Sequence, residues 1–222
     1  LNEPLTSDGL QIAKRLSTLL HHNDPGYLKF LEKLSPENPD LSDETNRRRW
    51  LMLGYQVLAK DPITIEGLQG VLSKHAALRE ELNQLAGILL DRSMISGRPL
   101  TGRLTSCPLC LHGRYTRAEI LAAVGKHQDG VRAHNREGIL RLAELSIELM
   151  FVTLDKSEGF HASIAYRDYA ISPRLFHWQT QNAAGPATKV GQQYLESPGN
   201  GWQFFLFVRK DAESAYYALG AV

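Results

Sequence analysis

Trp202–Lys210 reads WQFFLFVRK. A β-strand sends alternate side chains to opposite faces, so Trp202, Phe204, Leu206 and Val208 share one face and Gln203, Phe205, Phe207 and Arg209 the other. Both faces are largely apolar, the composition of a central strand covered on both sides. Four further runs carry the β-branched and aromatic content of strands and are bounded by turn residues: GILRL (138–142), ELMFVTL (148–154), LFHWQTQ (175–181) and AYYALGAV (215–222). Short strands with few helices between them predict a strongly curved sheet or a partly closed barrel. Ahead of them, Thr116 and Glu119 have capping-box spacing before AEILAAVG, and Gly125 is placed to end that helix.

Further upstream the pattern changes from a period of two to one of 3.6. In LTSDGLQIAKRLSTLLHHN (5–23), Leu10, Ala13, Leu16, Leu19 and Leu20 fall on one helical face. Asn23, Asp24 and Pro25 interrupt it, YLKFLEKL (27–34) offers a short amphipathic helix, and SPENPDLSD (35–43) is a proline-punctuated loop. Ser42 or Asp43 caps the next helix, which runs through RRRWLMLGYQVLAK to Asp61 and Pro62. TIEGLQGVLSKH and HAALREELNQLAGILLDRS then supply two more. SMISGRPLTGRL (93–104), with its glycines and proline, is the candidate linker. The fold class read from the chain is α+β: a bundle-like helical array over 1–95, then a strand-rich module with a few helices over 96–222. Because YYALGAV reads as a strand without a turn or polar tail after it, the module is expected to be truncated at Val222.

At 222 residues the chain can bury a core without covalent staples. A formal charge of +1 and a pI near 8.0 give no bulk electrostatic case for nucleic acid, so any phosphate contact must be local. No apolar run approaches the ~18 residues of a membrane span, and the first residues lack the pattern of a secretory signal; a cytoplasmic protein without membrane contact is expected. Cys107 and Cys110, spaced as CPLC with His112 following, fall short of a four-ligand zinc site unless a distant His joins. A redox pair would want a strand-then-helix setting, so two partly buried thiols are expected instead. His21 and His22 beside Asn23 and Asp24, like His134 beside Asn135, carry the letters of an HNH-type metal nuclease without its two strands, helix or further ligands. No metal and no cofactor are expected.

The chemistry-bearing residues concentrate between Tyr166 and Lys210. FHWQTQN places Phe176, Trp178 and Thr180 on one side of a strand and His177, Gln179 and Gln181 on the other. An imidazole and two carboxamides can read base edges, or can satisfy neighbouring backbone. YRDYAISPR adds Arg167 and Arg174 beside Tyr169, a guanidinium for phosphate and a ring for stacking on an unstacked base; the alternative is an Arg167–Asp168 pair on a loop. Arg209 and Lys210 leave the central strand as further phosphate contacts. In RRRW, Arg47, Arg48 and Arg49 point in different directions on a helix, which favours a solvated face over a DNA contact.

Three stretches, LCLHGRYTRAEILAAVG (109–125), FVTLDKSEGFHASIAYRDYAISPRLFHWQTQN (151–182) and VGQQYLESPGNGWQFFLFVRKD (190–211), resemble a functionally uncharacterised domain at the C-terminus of bacterial superfamily 2 helicases of the DEAD/DEAH type. The resemblance runs from Leu109 to the end. It implies a parent in which a phospholipase-D-like nuclease domain often precedes two helicase lobes, in the manner of restriction and anti-phage defence enzymes; residues 1–100 would follow the second lobe. It transfers no catalytic residue, and no GxxxxGK[ST] loop occurs in the sequence, so these residues are not expected to hydrolyse ATP. The expected function is a non-catalytic DNA-recognition module, reading a modified or flipped base with Arg167, Tyr169, Arg174, His177, Trp178, Gln179, Gln181, Arg209 and Lys210 around one open basic hollow. The competing expectation is a regulatory interaction domain docking on the parent's helicase lobes or a partner subunit.

Overall fold

A computed structural model describes residues 5–37, 39–58, 63–135, 137–155, 168–180, 184–197 and 199–222. The chain forms two compact units, Leu1–Asn135 and Arg136–Val222.

The first unit contains α1 (Ser7–Arg15), α2 (Pro25–Glu32), α3 (Glu44–Val57), α4 (Ile65–Lys74), α5 (Ala76–Arg92), the short strand β1 (Arg114–Tyr115) and α6 (Arg117–Ala123). Except for α5, which starts after His75 without a side-chain cap, each helix of this unit has a side-chain oxygen placed to accept an orphan backbone N–H. Thr6 accepts from Gly9, Asp24 from Gly26 and Tyr27, Asp43 from Thr45, and Thr64 from Gly67. Each such cap is worth about 1 kcal/mol. Helix α3 is the centre of the unit: Trp50 to Val57 are all buried, which requires neighbours on every side, and α1, α2, α4 and α6 supply them.

One helical face differs from its expectation. Leu10 and Leu20 are exposed, while Gly9, Ile12 and Leu19 are buried. The α-helix stops at Arg15 and Leu16–Leu19 winds as a 3-10 helix. A tighter turn of three residues shifts the angular phase, so one 3.6-residue stripe cannot describe both segments.

The expected change of domain at 95–96 falls inside the first unit, which continues to Asn135. SMISGRPLTGRL reads as a loop by its glycines and proline, yet Leu100 and Leu104 are buried, and the backbone N–H groups of Leu100 and Leu111 donate to the carbonyls of Leu109 and Arg98. Helix α6 packs on α3, and Arg48 of α3 donates to the Ala123 carbonyl at its end.

Cys107 and Cys110 are free and buried. Cys107 donates to the Ala123 carbonyl, and the Tyr115 hydroxyl lies 3.4 Å from the Cys110 sulfur. Burial pushes both thiols up to about 12. Since only the thiolate is nucleophilic, neither cysteine should react with iodoacetamide in the native chain at pH 8, and both should react in denaturant. Rapid native labelling of either would overturn this account of their packing.

The second unit is built on a mixed sheet in which its strands lie in the order β7 (Tyr216–Ala221), β6 (Gln203–Arg209), β3 (Ile147–Thr153), β2 (Ile139–Leu142). β2 and β7 run antiparallel to their neighbours, while β3 and β6 are parallel, with Met150 opposite Leu206. As WQFFLFVRK implies, β6 is internal, and Phe204 to Val208 are buried. Among the described residues the sheet stays open and forms no barrel. A parallel pair needs a long crossover. The β3-to-β6 connection contains β4 (Tyr169–Ser172), β5 (Leu175–His177) and α7 (Lys189–Leu195). One sheet face carries Met150, Val152, Phe204, Leu206 and Val208, with Phe176, Trp178, Tyr194 and Trp202 packed on it. On the other, Phe151 stacks with Phe207 and meets Tyr216 edge-on.

Among the described residues no helix is long and apolar enough to cross a membrane.

Candidate nucleic-acid interface

β4 and β5 form a separate two-stranded hairpin. The sequence marks no strand in YRDYAISPR; the structure gives Tyr169–Ser172 strand geometry with every residue exposed. An isolated hairpin is marginal in water, and this one has two fastenings. Asp168 accepts the backbone N–H of Gln179 at 2.9 Å, closing the open end. Phe176 and Trp178 pack against the sheet core, Trp178 meeting Tyr194 of α7 edge-on at 5.2 Å. A register shift between Ala170 and Ser172 kinks β4; such bulges re-aim side chains and are common beside functional sites.

The result is an exposed ring pair. Tyr169 and His177 are directly opposite across the strands, and their rings stack with centroids 4.9 Å apart. Arg174 lies exposed in the connecting turn, where its backbone N–H donates to the Ser172 hydroxyl. Tyr169, Ile171 and Leu175 are 50%, 53% and 57% exposed, so the hairpin presents apolar side chains to solvent.

The sequence-predicted residues therefore occupy three places. Tyr169, Arg174, His177 and the side chain of Gln179 belong to the exposed hairpin. Trp178 faces the core beside Phe176, as the alternation of FHWQTQN requires, and its ring is engaged with Tyr194. At the exit of β6, Arg209 donates to the Thr153 hydroxyl and the Ala212 carbonyl and covers the Tyr216 ring, which commits its guanidinium to packing; Lys210 beside it is exposed. Arg167 and Gln181 lie outside the described residues. Two cavities of the first unit, about 460 Å³ beside Lys29, Phe30, Lys33, Arg49 and Trp50, and about 220 Å³ beside Cys107 and Cys110, are lined by none of these candidates. In RRRW the arginines diverge as expected: Arg48 pairs with Glu44, while Arg49 reaches Phe30.

Behind the hairpin lies a polar network that sequence reasoning missed. Glu148 is buried in β3 and accepts from Arg141, Gln193 and the Tyr194 hydroxyl, while Arg141 also covers the Trp202 ring at 4.0 Å. Burial, and then the Glu148 carboxylate, hold the Tyr194 phenol well above its ordinary value. The one signal in the sequence was the acidic residue opening an otherwise apolar run, ELMFVTL.

The family described as a domain of unknown function, DUF3427, matches residues 109–222. The chain belongs to this family. No curated protein and no solved structure matches the chain. The DUF3427 match begins at Leu109, ahead of α6, and covers the hairpin, α7 and every strand named above. It includes all nine sequence-predicted site residues.

Proposed function

We propose that the DUF3427 domain is a non-catalytic DNA-recognition module of a cytoplasmic restriction or anti-phage helicase–nuclease, engaging an unstacked, flipped or modified base while its parent supplies ATP hydrolysis and strand cleavage. The observation that carries this reading is the exposed Tyr169–His177 ring pair with Arg174 at the tip of the same hairpin. Rings offer π-faces to a base, and a guanidinium offers a fork to phosphate. Near-zero net charge fits local rather than bulk attraction to DNA.

Fluorescence anisotropy of labelled single-stranded and duplex oligonucleotides with the full chain tests it. Stacking is worth about 1–3 kcal/mol per base, so Tyr169→Ala combined with Arg174→Ala should weaken binding roughly tenfold or more, and affinity should fall as salt rises. Unchanged affinity in the double variant would end the proposal. The exposed Ile171 and Leu175 beside Tyr169 favour a second reading, a regulatory surface docking on the parent's helicase lobes or a partner subunit. That reading predicts salt-insensitive binding to isolated lobes, lost in Ile171→Ser with Leu175→Ser.

A further inference from the structure

In the first unit, the turn after the 3-10 helix brings His21 and His22 against Glu119, the third residue of α6 and 98 positions from His21. One ligand atom from each lies within 4.8 Å of the others. His21 is partly buried, and His22 and Glu119 are fully buried.

The hydrogen-bond directions leave a gap in this cluster. His21 Nδ1 is 2.8 Å from the Thr18 carbonyl, which can only accept, so Nδ1 carries a hydrogen. In the neutral ring Nε2 is then a bare lone pair, and it faces Glu119 Oε2 at 3.1 Å. That same oxygen already accepts from the Thr116 backbone N–H at 2.7 Å and the Thr116 hydroxyl at 2.8 Å. The other carboxylate oxygen, Oε1, lies 2.6 Å from His22 Nε2. Yet neither atom has an aligned hydrogen-bond partner, and His22 Nδ1 has none. Buried polar atoms are rarely left so.

A cation among the three side chains would meet the lone pairs that these atoms leave without a hydrogen. Asp24 adds negative charge near His22, and the rings of Tyr27 and Tyr115 wall it at 4.8 and 6.3 Å.

We propose that His21, His22 and Glu119 bind one divalent transition-metal ion of the zinc class. Two imidazoles and a carboxylate are a donor set that zinc accepts with a fourth position left open. The His21 bond to Thr18 and the Thr116 clamp on Glu119 are the supports such ligands have, fixing the ring tautomer and the carboxylate orientation. The site is independent of the DNA reading: the hairpin variants leave it intact.

The test uses the full chain stripped with chelator, then titrated with zinc or cobalt. Zinc analysis after desalting should give about one equivalent per chain, and cobalt should produce the visible absorption of a low-coordinate nitrogen and oxygen site. Glu119→Gln keeps the capping box, because glutamine serves at that position. It should abolish the cobalt bands while the far-ultraviolet circular dichroism stays unchanged. His21→Ala, at the least buried ligand, should weaken zinc binding by more than about tenfold and guards against misfolding of the other variant. Uptake equal in wild type and both variants would overturn the site. So would no uptake, or thiolate-to-cobalt charge transfer lost in Cys107→Ser or Cys110→Ser.

Discussion

Replacing Phe207 by alanine should cost about 4 kcal/mol of stability, because phenylalanine truncation in a packed interior removes the transfer energy of the ring and leaves a cavity. Phe207 is 1% exposed at the middle of β6, between Phe151 of β3 and Ala218 of β7 in the sheet register. Its ring stacks on Phe151 at 5.6 Å, and Phe151 in turn meets Tyr216 at 5.3 Å. Such aromatic pairs contribute about 0.5–1.5 kcal/mol beyond their area.

Phe207→Leu keeps most of the volume and should cost about 1.5 kcal/mol. Tyr217→Ala, on the exposed side of β7, should stay within about 0.5 kcal/mol. Urea denaturation monitored by circular dichroism checks the series. A Phe207→Ala cost no greater than that of Tyr217→Ala would mean that the aromatic face of the sheet is not a packed interior.

The features legible in the sequence are those encoded locally. WQFFLFVRK announces an internal strand by its two apolar faces, and Thr116 with Glu119 announces α6 through a cap whose two members are three positions apart. Long-range arrangements left weaker marks. Nothing near His21 points to Glu119, because their meeting depends on how α6 lies against the rest of the first unit. Leu100 and Leu104 look like loop residues between glycines until the fold buries them. The hairpin illustrates a subtler case: alternation in FHWQTQN correctly sends Phe176 and Trp178 to one side, but only the fold shows that this side is the core. That turns Trp178 from a candidate contact into an anchor and leaves Tyr169 with His177 as the exposed pair. YAIS was unreadable as a strand because a protruding strand buries neither of its faces.

Arg141→Ala should cost about 2–3 kcal/mol, since removing one partner of a buried pair leaves the other charge without compensation. Glu148 is the buried partner, its side chain 2% exposed against 40% for Arg141, so water reaching the guanidinium places the cost toward the lower end. The variant also uncovers the Trp202 ring and frees Gln193, whose carbonyl oxygen accepts from Arg141 at 2.6 Å. Glu148→Gln provides the control: a neutral amide needs no cation, so adding it to Arg141→Ala should restore at least about 1 kcal/mol, a coupling that a double-mutant cycle reads directly. Because Gln193 and Tyr194 lie on α7 and Tyr194 meets Trp178, loosening this network should reach the hairpin's anchor. Near-ultraviolet circular dichroism of Arg141→Ala should therefore lose part of its aromatic signal, and the double variant should regain it. Equal stability of Arg141→Ala and wild type would show that Glu148 is already hydrated, and the sheet face behind the hairpin would then not be the dry platform that holds Trp178 in place.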